Sequence, residues 1–130
     1  GANANHGAYI TSANPNNMNF VACGAFLNTL ASFVAGTVYQ IAIRLSKSGT
    51  TMSYELYRNG ALSTSGTATV ASTYPQPSGT PVIGASTAGS VSGIYIGEAF
   101  SHDITDLSAD TRTAADIVLA DYNLYSTRFS

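Results

Sequence analysis

The chain has 130 residues, a length that predicts one domain with room for a sizeable core. Only 9% of the residues are charged and 45% are hydrophobic, with a formal net charge of −2, a balance that excludes intrinsic disorder. Five Lys and Arg residues spread along the sequence cannot form a stripe that follows phosphates, so no nucleic-acid partner is expected.

The sequence also bears on the surroundings of the protein. No basic cluster, lipidation motif or long apolar run is present, so no membrane insertion is expected. Cys23 is the only cysteine, which excludes an intramolecular disulfide. Its apolar neighbours favour a buried inert thiol over a reactive nucleophile. The chain opens with Gly1 rather than Met, and we expect a processed product, an expressed segment or a piece of a longer protein.

The first half of the chain predicts strands joined by polar turns. Strands are expected at residues 8–11 and 19–27, with a polar loop at 13–17 between them. Residues 37–45 and 51–58 alternate with period two, which is typical of half-buried antiparallel strands, and residues 46–49 form a turn between them. In the second of these strands, Met52, Tyr54 and Leu56 are expected on one face.

A hairpin turn follows. Asn59 and Gly60 both tolerate positive φ, so the pair predicts a two-residue type I′ turn. Further strands are expected at residues 61–65, 66–71, 81–85 and 94–100, with a proline-containing loop at 74–79. This succession of short strands predicts an all-β, antiparallel sandwich.

One helix is expected near the carboxy terminus, over residues 109–122. Ser108 is the predicted N-cap, with Asp110 in the first turn, and Asn123 is the predicted stop. The apolar stripe is formed by side chains at i, i+3, i+4 and i+7. It consists of Ala115, Val118, Leu119 and Tyr122.

Several segments together resemble a known family. They are the strand at 38–43, the hairpin at 54–62, and the motifs at 81–85, 93–98 and 106–108. In this order they are similar to the carboxy-terminal part of a concanavalin A-like (laminin G-like) domain, as found in phage and bacterial surface proteins. The resemblance covers residues 37–125. It implies a single antiparallel jelly-roll β-sandwich over residues 1–130 with one short carboxy-terminal helix.

The acidic residues do not suggest an enzyme. Some relatives with this fold are glycoside hydrolases, which need two carboxylates about 5–5.5 Å apart for a retaining mechanism. Glu55 and Glu98 are the only glutamates, and neither has an Asp two residues later. Ser101, His102 and Asp103 are consecutive, and consecutive strand side chains point to opposite faces, so they cannot align as a catalytic triad. No catalytic residues are therefore expected.

A weak cation site is a further hypothesis. His102, Asp103 and Asp106 could contribute ligands to Ca²⁺, which several lectins of this fold bind. Ca²⁺ prefers six to eight oxygen ligands, so two Asp residues with backbone carbonyls would make a weak site. Asp106 can equally bond to the backbone near the start of the helix.

A glycan site is expected on loops, with an aromatic platform beside amide side chains. Tyr74 is the platform candidate and Gln76 lies beside it, while Asn14, Asn16 and Asn17 form the densest amide cluster. The same asparagines also serve simply as turn residues. Loops are preferred because they escape the packing demand that explains most of the other aromatic residues.

Two functions remain open at this point. The first is a non-catalytic module that binds a carbohydrate or another cell-surface ligand. The second is a purely structural decoration, fibre or spike protein of a phage particle, with neighbouring structural proteins or further copies of itself as partners. Both imply a virion or extracellular location. The low charge and the lack of disulfides suit a protein folded in a reducing cytoplasm and later exposed.

Overall fold

A computed structural model of the chain describes residues 7–11, 13–71 and 112–128, all of which belong to one compact unit. The described elements are six strands and one helix that continues into a short 3₁₀ turn at Ser126–Arg128. They are β1 (Gly7–Thr11), β2 (Asn14–Ala22), β3 (Ala25–Leu30), β4 (Ile41–Ser48), β5 (Thr51–Arg58), β6 (Ala61–Thr69) and α1 (Ala114–Tyr125). The predictions for residues 81–85 and 94–100 fall outside the described residues.

The strands form two antiparallel sheets of three strands each. Sheet A has the order β1–β2–β3 and sheet B the order β4–β5–β6, so every pairing joins strands that are consecutive in sequence. The predicted class, mostly antiparallel β with one helix near the carboxy terminus, is confirmed at this level.

The two sheets contribute to one hydrophobic core. Phe20 of β2 is 1% exposed and Leu56 of β5 is 0% exposed, and both belong to the same buried cluster. The predicted alternation of β5 is confirmed, since Met52 and Tyr54 are buried with Leu56. We call the face of each sheet that is turned away from this cluster its outer face.

The hairpin between β5 and β6 forms as predicted. Arg58 pairs with Ala61, which leaves Asn59 and Gly60 as a two-residue loop. Their φ angles are 51° and 78°, in the region that a type I′ turn requires at both central positions. Asn is one of the few residues with a side chain that occupies this region at small cost.

A second tight hairpin replaces the single strand predicted at residues 19–27. Ala22 pairs with Ala25, and Cys23 and Gly24 turn the chain with φ angles of 51° and 71°. Cysteine rarely adopts positive φ, which is why the apolar run looked continuous. Cys23 is half-buried in this turn, and burial raises the pKa of its thiol.

Strand β6 is one strand of nine residues, so the break predicted between residues 65 and 66 is wrong. Gly66 faces Tyr54 across the sheet, and a Cβ added to it would lie 2.6 Å from Tyr54 Oη. The glycine therefore makes room for the tyrosine ring rather than ending the strand. The Nδ2 atom of Asn28 donates to the same hydroxyl over 3.2 Å.

The segment from 31 to 40 connects the sheets and is fastened by Arg58. The Arg58 guanidinium lies 4.3 Å from the centroid of the Phe33 ring, and Nη2 donates to the Ala31 carbonyl over 2.6 Å. Phe33 and Tyr39 pack edge to face, with centroids 4.9 Å apart. Strand β4 then begins at Ile41 rather than at residue 37, and it extends through the predicted turn to Ser48.

Helix α1 begins later than predicted. Arg112 and Thr113 are not helical, so the predicted start after Ser108 is wrong, although Ser108 and Asp110 themselves lie outside the described residues. Thr113 is the N-cap and forms a capping box with Asp116: Thr113 N donates to Asp116 Oδ2, and Asp116 N donates to Thr113 Oγ1. These bonds lower the pKa of the exposed Asp116 carboxyl.

The helix also ends later than predicted, and its half-buried residues match the predicted stripe only in part. It continues through Asn123 to Tyr125, so Asn123 is not the stop. Ala115 and Leu119 of the predicted stripe are exposed. The half-buried side is rotated by about one residue and consists of Ala114, Ile117, Val118, Asp121, Tyr122 and Tyr125.

Candidate functional site

Most of the predicted site residues cannot be placed. Tyr74, the predicted aromatic platform of the glycan site, and Gln76 beside it lie outside the described residues. The same holds for His102, Asp103 and Asp106, the predicted Ca²⁺ ligands. Both hypotheses therefore remain predictions.

The predicted asparagine cluster lies on a strand instead of a loop. Thr11 pairs with Asn14, and β2 begins at Asn14. Because successive strand residues point to opposite sides, Asn16 and Asn17 do not share a face. Asn14 and Asn16 are exposed and Asn17 is half-buried. The structure thus separates residues that the sequence analysis grouped as one polar contact.

A different polar cluster stands on the outer face of sheet B. Arg44 of β4, Glu55 of β5 and Ser65 of β6 are direct cross-strand partners, and Tyr57 lies two residues beyond Glu55 on the same side. The next row towards the other end of the strands consists of hydroxyl side chains. We call the polar part of this surface the Glu55 face, and it comprises Arg44, Ser46, Ser53, Glu55, Tyr57, Ser65 and Thr67.

Both oxygens of the Glu55 carboxylate are engaged by neighbouring side chains. Tyr57 Oη donates to Glu55 Oε2 over 2.6 Å, and Arg44 Nη1 donates to Glu55 Oε1 over 3.4 Å. The Arg44 and Glu55 side chains remain 36% and 31% exposed, so a ligand on this face can reach both. The arrangement presents a fixed carboxylate and a guanidinium side by side to solvent.

Tyr57 is the buried member of the cluster. It is 2% exposed although it points away from the shared core. Burial, together with the hydrogen bond to Glu55, raises the pKa of Tyr57 to about 12. The phenol therefore stays protonated at neutral pH and acts as a permanent donor that fixes the Glu55 carboxylate.

The raised pKa of Tyr57 predicts a loss of stability in alkali. The folded state favours the protonated phenol, so this contribution is complete below the ordinary pKa of about 10 and is lost as the pH rises through about 12. We expect the free energy of unfolding to fall by about 2 kcal/mol more in the wild type than in Tyr57→Phe across this window. Urea unfolding at pH 8, 10 and 12 measures it, and equal losses in both proteins would contradict the proposed burial of the phenol.

This cluster was not predicted from the sequence, in which Glu55 stands out only as one half of a possible carboxylate pair. In the structure the neighbours of Glu55 are a guanidinium and a phenol. Arg44 and Glu55 are eleven positions apart, and only the register set by the β4–β5 turn brings them together. The alternation of both strands was visible in the sequence, so the correct turn at Gly49–Thr50 would have revealed the pair.

One exposed aromatic side chain was also missed. Phe26 of β3 is 57% exposed on the outer face of sheet A, opposite Val21 of β2. Farther along this face Thr29 Oγ1 donates to Asn19 Oδ1 over 2.6 Å. Because residues 19–27 were predicted as one strand, the sequence did not indicate that Phe26 follows a turn and is exposed on the outer face.

Among residues 7–11, 13–71 and 112–128, no group of three or more His, Cys, Asp or Glu side chains is placed to hold a metal ion. Within the same ranges no helix is both long and apolar enough to cross a membrane.

Comparison with known proteins gives no family assignment. No family model, curated protein or solved structure matches this chain.

Proposed function

We propose that the protein is a non-catalytic module that binds a glycan or a similar polar ligand of a cell surface, and that the ligand lies on the Glu55 face. The observation that carries the proposal is the half-exposed Arg44–Glu55–Tyr57 network on the outer face of sheet B. Its carboxylate is positioned by a buried donor, so little conformational freedom is lost when a ligand binds.

The chemistry of the face suits a ligand rich in hydroxyl groups. A sugar hydroxyl both donates and accepts hydrogen bonds, and here the guanidinium supplies donors, the carboxylate supplies acceptors, and the surrounding Ser and Thr hydroxyls supply both. The charges of Arg44 and Glu55 offset each other, which favours a neutral polyol over a polyanion. The low charge of the whole chain points in the same direction.

The proposal extends to fold and location. It includes a concanavalin A-like jelly-roll sandwich, for which two antiparallel sheets with a shared core are coarse support, and a virion or extracellular location. The motifs at residues 54–62 and 93–98 support it through their resemblance to that family. Since a fold does not determine a function, the binding claim rests on the Glu55 face alone.

Binding is tested with charge-matched variants on a glycan array, followed by calorimetry on each ligand found. Glu55→Gln and Arg44→Gln should each weaken binding about tenfold or more, as expected for a lost hydrogen bond to a charged group. Lys47→Gln removes the same charge as Arg44→Gln from the same strand but lies outside the Glu55 face, and it should change affinity less than about twofold. Equal losses at Arg44 and Lys47 would show a non-specific charge effect and contradict the proposal.

A structural role in a particle is the second candidate, and it too has an observation in its favour. Among the described residues, several large apolar side chains are more than half exposed. They are Phe26, Val34, Val38, Leu62 and Leu124. Contact with neighbouring proteins or further copies of the chain would cover such side chains. If no glycan binds while light scattering shows a stable assembly, this candidate replaces the first.

A further inference from the structure

Gln40 joins helix α1 to the hairpin between β5 and β6. Its Nε2 atom donates to the Val118 carbonyl over 2.9 Å and to Asp121 Oδ2 over 2.7 Å. Its Oε1 atom accepts from Gly60 N over 2.8 Å. The backbone of Gln40 also exchanges hydrogen bonds with Asn59, at 3.0 and 2.9 Å. One amide side chain thus contacts both the helix and the hairpin turn.

Helix α1 is only partly buried where it docks. No residue of α1 is buried, and Leu119 and Leu124 are 47% and 62% exposed. The close apolar approach is at Gly60, where an added Cβ would lie 3.0 Å from Tyr122 Cδ1 and 3.1 Å from Leu119 Cδ1. An isolated helix of twelve residues is marginal in water, so α1 depends on its docking to persist. Elements with few buried contacts are the ones that open locally.

The docking site lies at one end of the Glu55 face. Gln40, Ala42 and Arg44 alternate with the core-facing residues of the chain, and Tyr39 and Ile41 pack against the core. Tyr57 is the partner of Ala42 and stands two residues before Asn59, to which Gln40 is bonded. The residue that fixes Glu55 is therefore close in sequence and in register to the turn that Gln40 holds.

We propose that helix α1 is a releasable gate at the Tyr57 end of the Glu55 face, with the Gln40 side chain as its latch. The helix leaves the sheet as a unit while both sheets stay folded. When docked, it holds the Asn59–Gly60 turn and keeps Tyr57 and Glu55 in their binding arrangement. The effect on binding rests on the proposed function, whereas the release of the helix does not.

Amide hydrogen exchange of the full chain tests the latch. Gln40→Ala should speed exchange in residues 117–125 at least tenfold and change β5 less than twofold. Asn14→Ala removes an exposed amide side chain from sheet A and should leave both regions unchanged. A uniform increase in helix and sheet would overturn the proposal, because the helix would then be part of the global unit. No change in the helix would overturn the role of Gln40.

A swap of donor and acceptor tests whether the hydrogen bond between residues 40 and 121 holds the helix on the sheet. Gln40→Glu places a carboxylate opposite Asp121 and removes both donated hydrogen bonds, so helix exchange should exceed that of Gln40→Ala. Adding Asp121→Asn supplies a donor to that carboxylate and should restore at least half of the lost protection. Failure of the second change to restore any protection would overturn the pairing of residues 40 and 121 as the latch.

The effect of helix release on ligand binding is measured as the affinity for a glycan that the wild type binds. Gln40→Ala should weaken its binding about threefold or more, and an unchanged affinity would overturn the gate while leaving the proposed function intact. If the wild type binds no glycan but the helix still opens selectively, the proposed function fails and the release of the helix stands. The two failures are therefore distinguishable.

Discussion

Replacement of Phe20 by alanine should cost about 3–5 kcal/mol of unfolding free energy, the range for buried aromatic truncations. Phe20 is 1% exposed and is one of the two largest fully buried side chains among the described residues. It belongs to the cluster to which β5 of the other sheet also contributes, through Leu56. The neighbours can relax into the space only partly, so a cavity adds to the lost transfer energy.

Phe26→Ala is the matched control, because the same residue type stands on the outer face of the same sheet. Phe26 is 57% exposed, so its truncation should cost less than about 1 kcal/mol. Urea unfolding followed by circular dichroism gives both values. Similar losses at the two positions would mean that the outer face of sheet A is covered to the same degree as the core.

Replacement of Gly66 by alanine should destabilise the protein by about 3 kcal/mol, at the upper end for overpacking. The added Cβ would lie 2.6 Å from Tyr54 Oη and 2.9 Å from Cζ, closer than real Cβ contacts allow. The ring cannot simply move aside, since Tyr54 is 7% exposed and packs in the core. The loss should appear in the unfolding free energy measured by denaturant titration.

A double-mutant cycle shows whether the loss comes from this clash or from a general sensitivity of β6 to substitution. In a Tyr54→Leu background the ring is gone, so the additional cost of Gly66→Ala should fall below about 1 kcal/mol. If the cost stays the same in both backgrounds, the ring is not what requires a glycine. Ser65→Ala, at the exposed neighbouring position, should be nearly neutral.

The strands that could be predicted are those with strong local signals. The pair Asn59–Gly60 predicted the hairpin because both residues accept positive φ. The alternation of β5 predicted which of its faces packs in the core. The turn at Cys23 was hidden, since cysteine is not a residue that signals positive φ. Gly66 looked like a break because the need for space beside Tyr54 arises only from the pairing of two strands.

The helix and the candidate site show what hydrophobic periodicity cannot supply. Helix α1 accepts hydrogen bonds from Gln40, including one at Asp121, a charged residue outside the predicted apolar stripe. In the same way, Glu55 acquires its neighbours Arg44 and Tyr57 through register and alternation rather than through a linear motif. The residue types were visible in the sequence, but their juxtaposition depends on tertiary structure.

The pairing of consecutive strands only, within each described sheet, has a kinetic consequence. The hairpins at Cys23–Gly24 and Asn59–Gly60 close through loops of two residues, so their contacts are local in sequence. Hairpins of this kind form in about 1–10 μs, far faster than contacts between distant segments are found. The two described meanders can therefore form independently, and the shared cluster that contains Phe20 and Leu56 forms when they meet.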